Sequence, residues 1–106
     1  MVKNGRNMSM SELYRPETNY ILRLFVAGDE RNSYLAKTNL KLICDTYLHG
    51  RHHLEIIDVL ENVEAAVRNH VLVTPMLVLV APRPEVTIIG NLSNTQRVLD
   101  ALRLSS

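Results

Sequence analysis

The feature that most narrows what this chain can fold into is a proline. Thr74-Pro75 stands directly before the apolar run Met76-Leu-Val-Leu-Val-Ala81. Proline has no backbone N–H and cannot donate to a sheet ladder, so it belongs at the start of a strand and not inside one. The strand therefore begins at Met76. A second run, Tyr20-Ile-Leu-Arg-Leu-Phe-Val-Ala-Gly28, goes straight into a small polar turn, Gly28-Asp-Glu-Arg-Asn-Ser33.

The periodicities around these two marks give an α/β order. Tyr20, Leu22, Leu24 and Val26 alternate with Ile21, Arg23 and Phe25, which predicts a strand with Arg23 turned away from its better-buried face. Asn32 or Ser33 can cap the next element, where Ala36, Leu40, Ile43 and Tyr47 fall at helical spacing until Gly50 ends it. Leu54-Glu-Ile-Ile-Asp-Val59 reads as a short strand, and Glu61 to Asn69 as a weaker helix with Val63, Ala66 and Val67 facing inward. Pro82-Arg83-Pro84 makes a hairpin-like break between the run ending at Ala81 and the strand Glu85 to Ile89. Ser93 with Gln96 forms a capping box for a last helix, from about Asn94 to Leu102, whose inward stripe is Val98, Ala101 and Leu102. The expected fold is strand, helix, strand, helix, strand, strand, helix: a mixed four-stranded sheet with helices on both faces.

At 106 residues and 46% hydrophobic, the chain can close one modest core without a metal or disulfide. Residues 1–18 are polar and aperiodic and end in Arg15-Pro16-Glu17-Thr18, which predicts a flexible leader before one domain over 19–104. Twelve basic against eleven acidic side chains, with no basic stripe, argue against a nucleic-acid partner. No apolar stretch approaches the roughly 18 residues of a membrane span, and Met1-Val-Lys-Asn-Gly-Arg-Asn lacks a signal-peptide core. A cytoplasmic protein is expected, and the single Cys44 agrees with a reducing compartment.

Few residues offer chemistry. His49, His52 and His53 share one short segment, but adjacent strand residues point to opposite faces and zinc wants four converging ligands, so solvated loop histidines are the plainer reading. Cys44 sits mid-helix beside the inward Ile43, where a buried, inert thiol is expected. Asp58 stands near a strand end and suits helix capping. Gly28 and Gly90 belong to no phosphate loop, and no nucleophile with its base can be assembled from spacing. The residues point to no enzyme and no cofactor.

The strand-turn at 20–33 and the Thr-Pro entry resemble thioredoxin-like domains, whose redox members carry Cys-x-x-Cys in that turn. Here the turn holds no cysteine, and the resemblance implies a cis Thr74-Pro75 bond. Over about Tyr20 to Leu102 the chain is similar to the KaiB family of bacterial clock proteins. The similarity runs through Tyr20-Ile-Leu-Arg-Leu-Phe-Val-Ala-Gly28, Asn32-Ser33, Ile57-Asp-Val-Leu60, Thr74-Pro75 and Ile88-Ile-Gly-Asn-Leu-Ser93. It implies a non-enzymatic partner of a KaiC-type ATPase hexamer. It also implies two folds, a thioredoxin-like binding state and a rearranged ground state that associates as a tetramer, with a slow step available at X-Pro bonds. Pro75, Pro82 and Pro84 are then fold-switch positions. So are Ala101 and Arg103, which replace a Gly and an Asp of the cyanobacterial pattern and favour the last helix, Arg103 as a cation in its final turn.

Arg23, Glu55, Asp58 and Asn62 form the expected partner-binding surface. Leu35, Glu55, Val86 and Thr87 stand where the cyanobacterial pattern is basic, so the partner is expected to differ in charge. The leading function is an adaptor in clock-like or stress-adaptation signalling, with a histidine kinase or other signalling protein as a further partner. The rivals are a thioredoxin-related thiol oxidoreductase, against which the missing cysteine pair argues, and a stand-alone sensor-type interaction domain.

Overall fold

β1 (Tyr20–Val26) is the strand around which everything else is placed. In the computed structural model, which describes residues 19–104, β1 pairs in parallel with β2 (His52–Asp58) and antiparallel with β3 (Met76–Ala81); β3 in turn pairs antiparallel with β4 (Val86–Ile89). The sheet order is β2-β1-β3-β4. A parallel pair needs a crossover, and α1 (Arg31–Tyr47) supplies it. The short α2 (Val63–Arg68) joins β2 to β3, and α3 (Thr95–Ala101) closes the described chain. The strand and helix order is the one expected, while the leader at 1–18 lies outside the described residues.

One face of the sheet holds the core. Leu22, Leu24 and Val26 of β1 and Leu77 and Leu79 of β3 meet Ala36, Leu40, Ile43 and Cys44 of α1 and Val98 and Leu99 of α3, with Leu48 and Leu102 beside them. The opposite face buries much less: Phe25, its register neighbour Met76, and Ala65 of α2. Helices on both faces are thus present, but they are unequal.

Several local expectations change. α1 is capped by Glu30, whose carboxylate accepts from the backbone N–H of Asn32 and Ser33 at 3.0 and 2.9 Å; Ser33 is instead buried, its Oγ accepting from Ala27 N–H at 3.0 Å. Tyr47 is exposed, and Leu48, one residue on, fills the core in its place. β2 begins at His52, two residues earlier than expected, because Tyr20 pairs with His52 in register. On α2, Val63 and Val67 face outward and Ala66 is half-buried; the inward residue is Ala65. The capping box does not form: Asn94 caps α3, accepting from Arg97 N–H at 3.1 Å, while Gln96 donates to Asp100.

Candidate functional site

The turn that would carry redox cysteines is closed by Glu30. Two backbone N–H groups at the N-terminus of α1 donate to its carboxylate and hold its pKa below the usual carboxylate range, Asn32 first and Ser33 second. The anion-binding end of the helix is therefore occupied by the protein's own side chain. Cys44 lies well along α1, buried in the core, where burial and then the neighbouring Asp45 charge push its thiol up to about 11. Nucleophilic use needs the thiolate, which such a site disfavours. His52 Nδ1 lies 2.8 Å from the Leu48 carbonyl, His53 is exposed, and no set of three metal-ligating side chains converges among the described residues.

Three of the four residues expected to meet a partner, Arg23, Glu55 and Asn62, are brought together on the other face of the sheet. Arg23 and Glu55 are register neighbours on β1 and β2, so their side chains emerge side by side, with Arg23 Nε 3.4 Å from Glu55 Oε1. Both are about half exposed, and such a pair contributes little to stability, roughly 0–1 kcal/mol. With Asn62, Arg68 and Asn69 of the α2 segment they line a groove of about 440 Å³, floored by Ile57 and Ala65. Asn62 Oδ1 accepts from Ala65 N–H at 3.0 Å and so caps α2 at the edge of the groove.

Asp58 stands apart from that groove and does not cap a helix. Its Oδ1 accepts from Gly28 N–H at 3.1 Å and Leu60 N–H at 2.9 Å, tying the turn after β1 to the turn after β2. Gly28 needs to be glycine there, with φ +53 and the Leu60 side chain 3.2 Å from where a Cβ would stand. Arg68 and Asn69 were not among the expected site residues. The spacing of Asn62 and Asn69, two helical turns apart, is the signal that could have placed Asn69 on the same face.

At the far end of the chain the proline and helix positions also meet. Thr74-Pro75, Ala81-Pro82 and Arg83-Pro84 are all cis peptide bonds. Ala101 is the last helical residue and packs, half-buried, against the core. Arg103 lies past the cap and not in the last turn of α3: it takes φ 60, its N–H bonds Asp100 O at 3.1 Å, and Leu104 N–H bonds Leu99 O at 2.8 Å. These two bonds close the helix end in the manner usually given to glycine. The Arg103 guanidinium reaches the β3–β4 connection, donating to Pro82 O at 2.9 Å and Pro84 O at 3.4 Å.

Comparison with known proteins agrees with this architecture. The N-terminal domain of SasA from Synechococcus elongatus superposes with a TM-score of 0.65 at 20% identity, over 84% of this chain and 88% of that one. Mitochondrial thioredoxin 3 of Saccharomyces cerevisiae gives 0.66 at 19% identity, over 82% and 80%. These likenesses establish a thioredoxin-like fold. In sequence, the circadian clock oscillator protein KaiB of Prochlorococcus marinus is 44% identical over 89 residues, 84% of this chain and 76% of that protein. The family described as the KaiB domain matches residues 23–104, and with that span and that identity the chain belongs to the KaiB family.

Proposed function

We propose that this protein is a non-enzymatic adaptor that docks on a KaiC-type ATPase hexamer and modulates clock-like or stress-adaptation signalling in the cytoplasm. The observation that carries the reading is the KaiB-domain match over 23–104. The placement of Arg23, Glu55 and Asn62 around one open groove supports it, since expected contact residues converge on a surface and not in an enclosed cavity. The Glu30-capped turn and the buried Cys44 support the absence of thiol chemistry. Asp58 acts in this reading by positioning the turn that leads into α2.

Isothermal titration and co-elution with the KaiC-type ATPase of the same organism, in ADP and in ATP, test the adaptor. Binding that depends on the nucleotide is expected, and no binding in either state removes the reading. An insulin-reduction assay is expected to show no turnover; turnover lost on Cys44→Ala would establish thiol chemistry instead. The likeness to the SasA N-terminal domain favours a second reading, a sensor-type interaction domain that engages a histidine kinase or other signalling protein.

A further inference from the structure

Among the described residues β4 forms one edge of the sheet, and that edge is unguarded. Val86-Thr-Ile-Ile89 carries no charge and no proline, and it pairs with β3 without a bulge. Proteins blunt exposed edges with such devices, because an open row of N–H and C=O groups is a template for another strand. The hydrogen bond from Gly90 N–H to Pro75 O at 3.0 Å fixes which groups are open here. Bonding alternates along an antiparallel ladder, so Val86 and Ile88 turn their backbone groups to β3 while Thr87 and Ile89 turn theirs outward. The side chains of Thr87 and Ile89 are exposed as well, Ile89 at 56%. β-Branched residues suit a strand with neighbours on both sides, and this one has a neighbour on one side only.

We propose that β4 is a self-association edge: a second copy of the chain adds its own β4 antiparallel, centred on Ile88, and joins two four-stranded sheets into one. In that register Thr87 exchanges its backbone hydrogen bonds with Ile89 of the second copy, and Ile89 with its Thr87, so every outward N–H and C=O of the strand finds a partner. Side-chain fit selects the register. Val86 comes opposite Gly90 of the second copy, at the closer of the two antiparallel spacings. Nothing lies within 4 Å of the place a Cβ would take on Gly90, and a recess of about 120 Å³ opens beside it, lined also by Ile88, Leu92 and Val98. Glu85 comes opposite Asn91, so each carboxylate meets an amide and the two carboxylates stay apart. Centring on Thr87 instead would set Glu85 against the apolar Ile89.

The two-fold axis of such a pair stands perpendicular to the sheet, and the Arg23 and Glu55 grooves of both copies then face the same way. The dimer presents that surface twice, whatever binds there. A four-residue edge is short, and permanent dimers bury upwards of about 2,000 Å², so the association is expected to be weak and reversible.

Sedimentation velocity and amide NMR of the full chain, from about 10 µM to about 1 mM, test the edge. Wild type is expected to pass from monomer to dimer over that range, with exchange of the Thr87 and Ile89 amides slowed about tenfold at the top and the amides of 52–58 unchanged. Thr87→Pro removes an outward N–H and leaves the ladder to β3 intact, and Ile89→Lys adds a guarding charge. The first is expected to stay monomeric and the second to dimerise about tenfold more weakly, while Tyr34→Ser, which alters an exposed ring on α1, dimerises like wild type. A wild-type chain that is monomeric at the highest concentration overturns the proposal, and so does wild-type dimerisation in both variants. If Thr87→Pro does not fold, the wild-type amides and Ile89→Lys decide. Protection of Thr87 and Ile89 that is independent of concentration assigns the edge to another part of the same chain and overturns the proposal. Slowing confined to 52–58, or a tetramer in which residues 94–102 lose their helical shifts, places the contact on β2 or in the rearranged fold and overturns it as well.

Discussion

The face of the sheet beneath α1 and α3 and the face beneath α2 are built from the same strands, yet they spend apolar residues differently. Beneath α1 and α3, Leu22, Leu24, Leu40, Leu77 and Leu79 are all fully buried. Beneath α2, burial stops at Phe25, Met76 and Ala65, and the valines of the helix point to water. The contrast teaches that apolar content alone does not say where stability resides. In this chain one face holds the molecule together and the other displays it.

Truncation on the two faces tests that division most strongly. Leu40→Ala is expected to cost about 2–5 kcal/mol in urea unfolding, because it opens a cavity in a close-packed core. Val67→Ala, equally apolar in sequence, is expected to stay within about 0.5 kcal/mol of wild type. Similar losses at the two positions would break the comparison. A smaller effect is expected at the end of α3. Ala101→Gly with Arg103→Asp removes helix propensity and the guanidinium contacts to Pro82 and Pro84, and is expected to lower stability by about 1–2 kcal/mol. If these positions hold the thioredoxin-like order against the rearranged one, the same variant shows a second set of slowly exchanging amide peaks. An unchanged spectrum removes them from that role.

How much of this was legible depended on which force decided each element. β1 and β3 were readable to the residue, since alternation and the Thr74-Pro75 entry leave no other start. The Arg23 and Glu55 pairing was readable once the two strands were taken as neighbours, because register then sets the rest. The rotation of α2 was not. An apolar stripe is normally assigned to a chain's own core, and here the stripe Val63, Val67 faces solvent while the smaller Ala65 sits inside. That error hid Arg68 and Asn69 from the expected site. The cap of α1 was missed for another reason: Ser33 is a good capping residue, but its hydroxyl is taken by Ala27 N–H, and the exposed Glu30 does the capping.

The smallest expected effect belongs to Glu30. Its acidity is increased in the folded state, so its contribution is present above the ordinary carboxylate value and fades as the pH falls through the lower, folded one. Thermal midpoints of wild type and Glu30→Ala should therefore differ at neutral pH and converge in acid. A gap that persists at the acid end would mean the side chain acts through packing and not charge. High salt should narrow the neutral gap, as the group is solvent-exposed.

The single oxygen of Asp58 that accepts from both Gly28 and Leu60 joins two turns thirty-two residues apart in the chain. An amide held only in this way is released to solvent when that oxygen lets go, so the two sites share one opening event. In hydrogen-exchange measurements the Gly28 and Leu60 amides should consequently lose protection together, and Asp58→Asn should raise both rates while leaving the amides of β3 slow. Strain applied at the foot of α2 would then be felt at the start of α1, on the opposite side of the sheet.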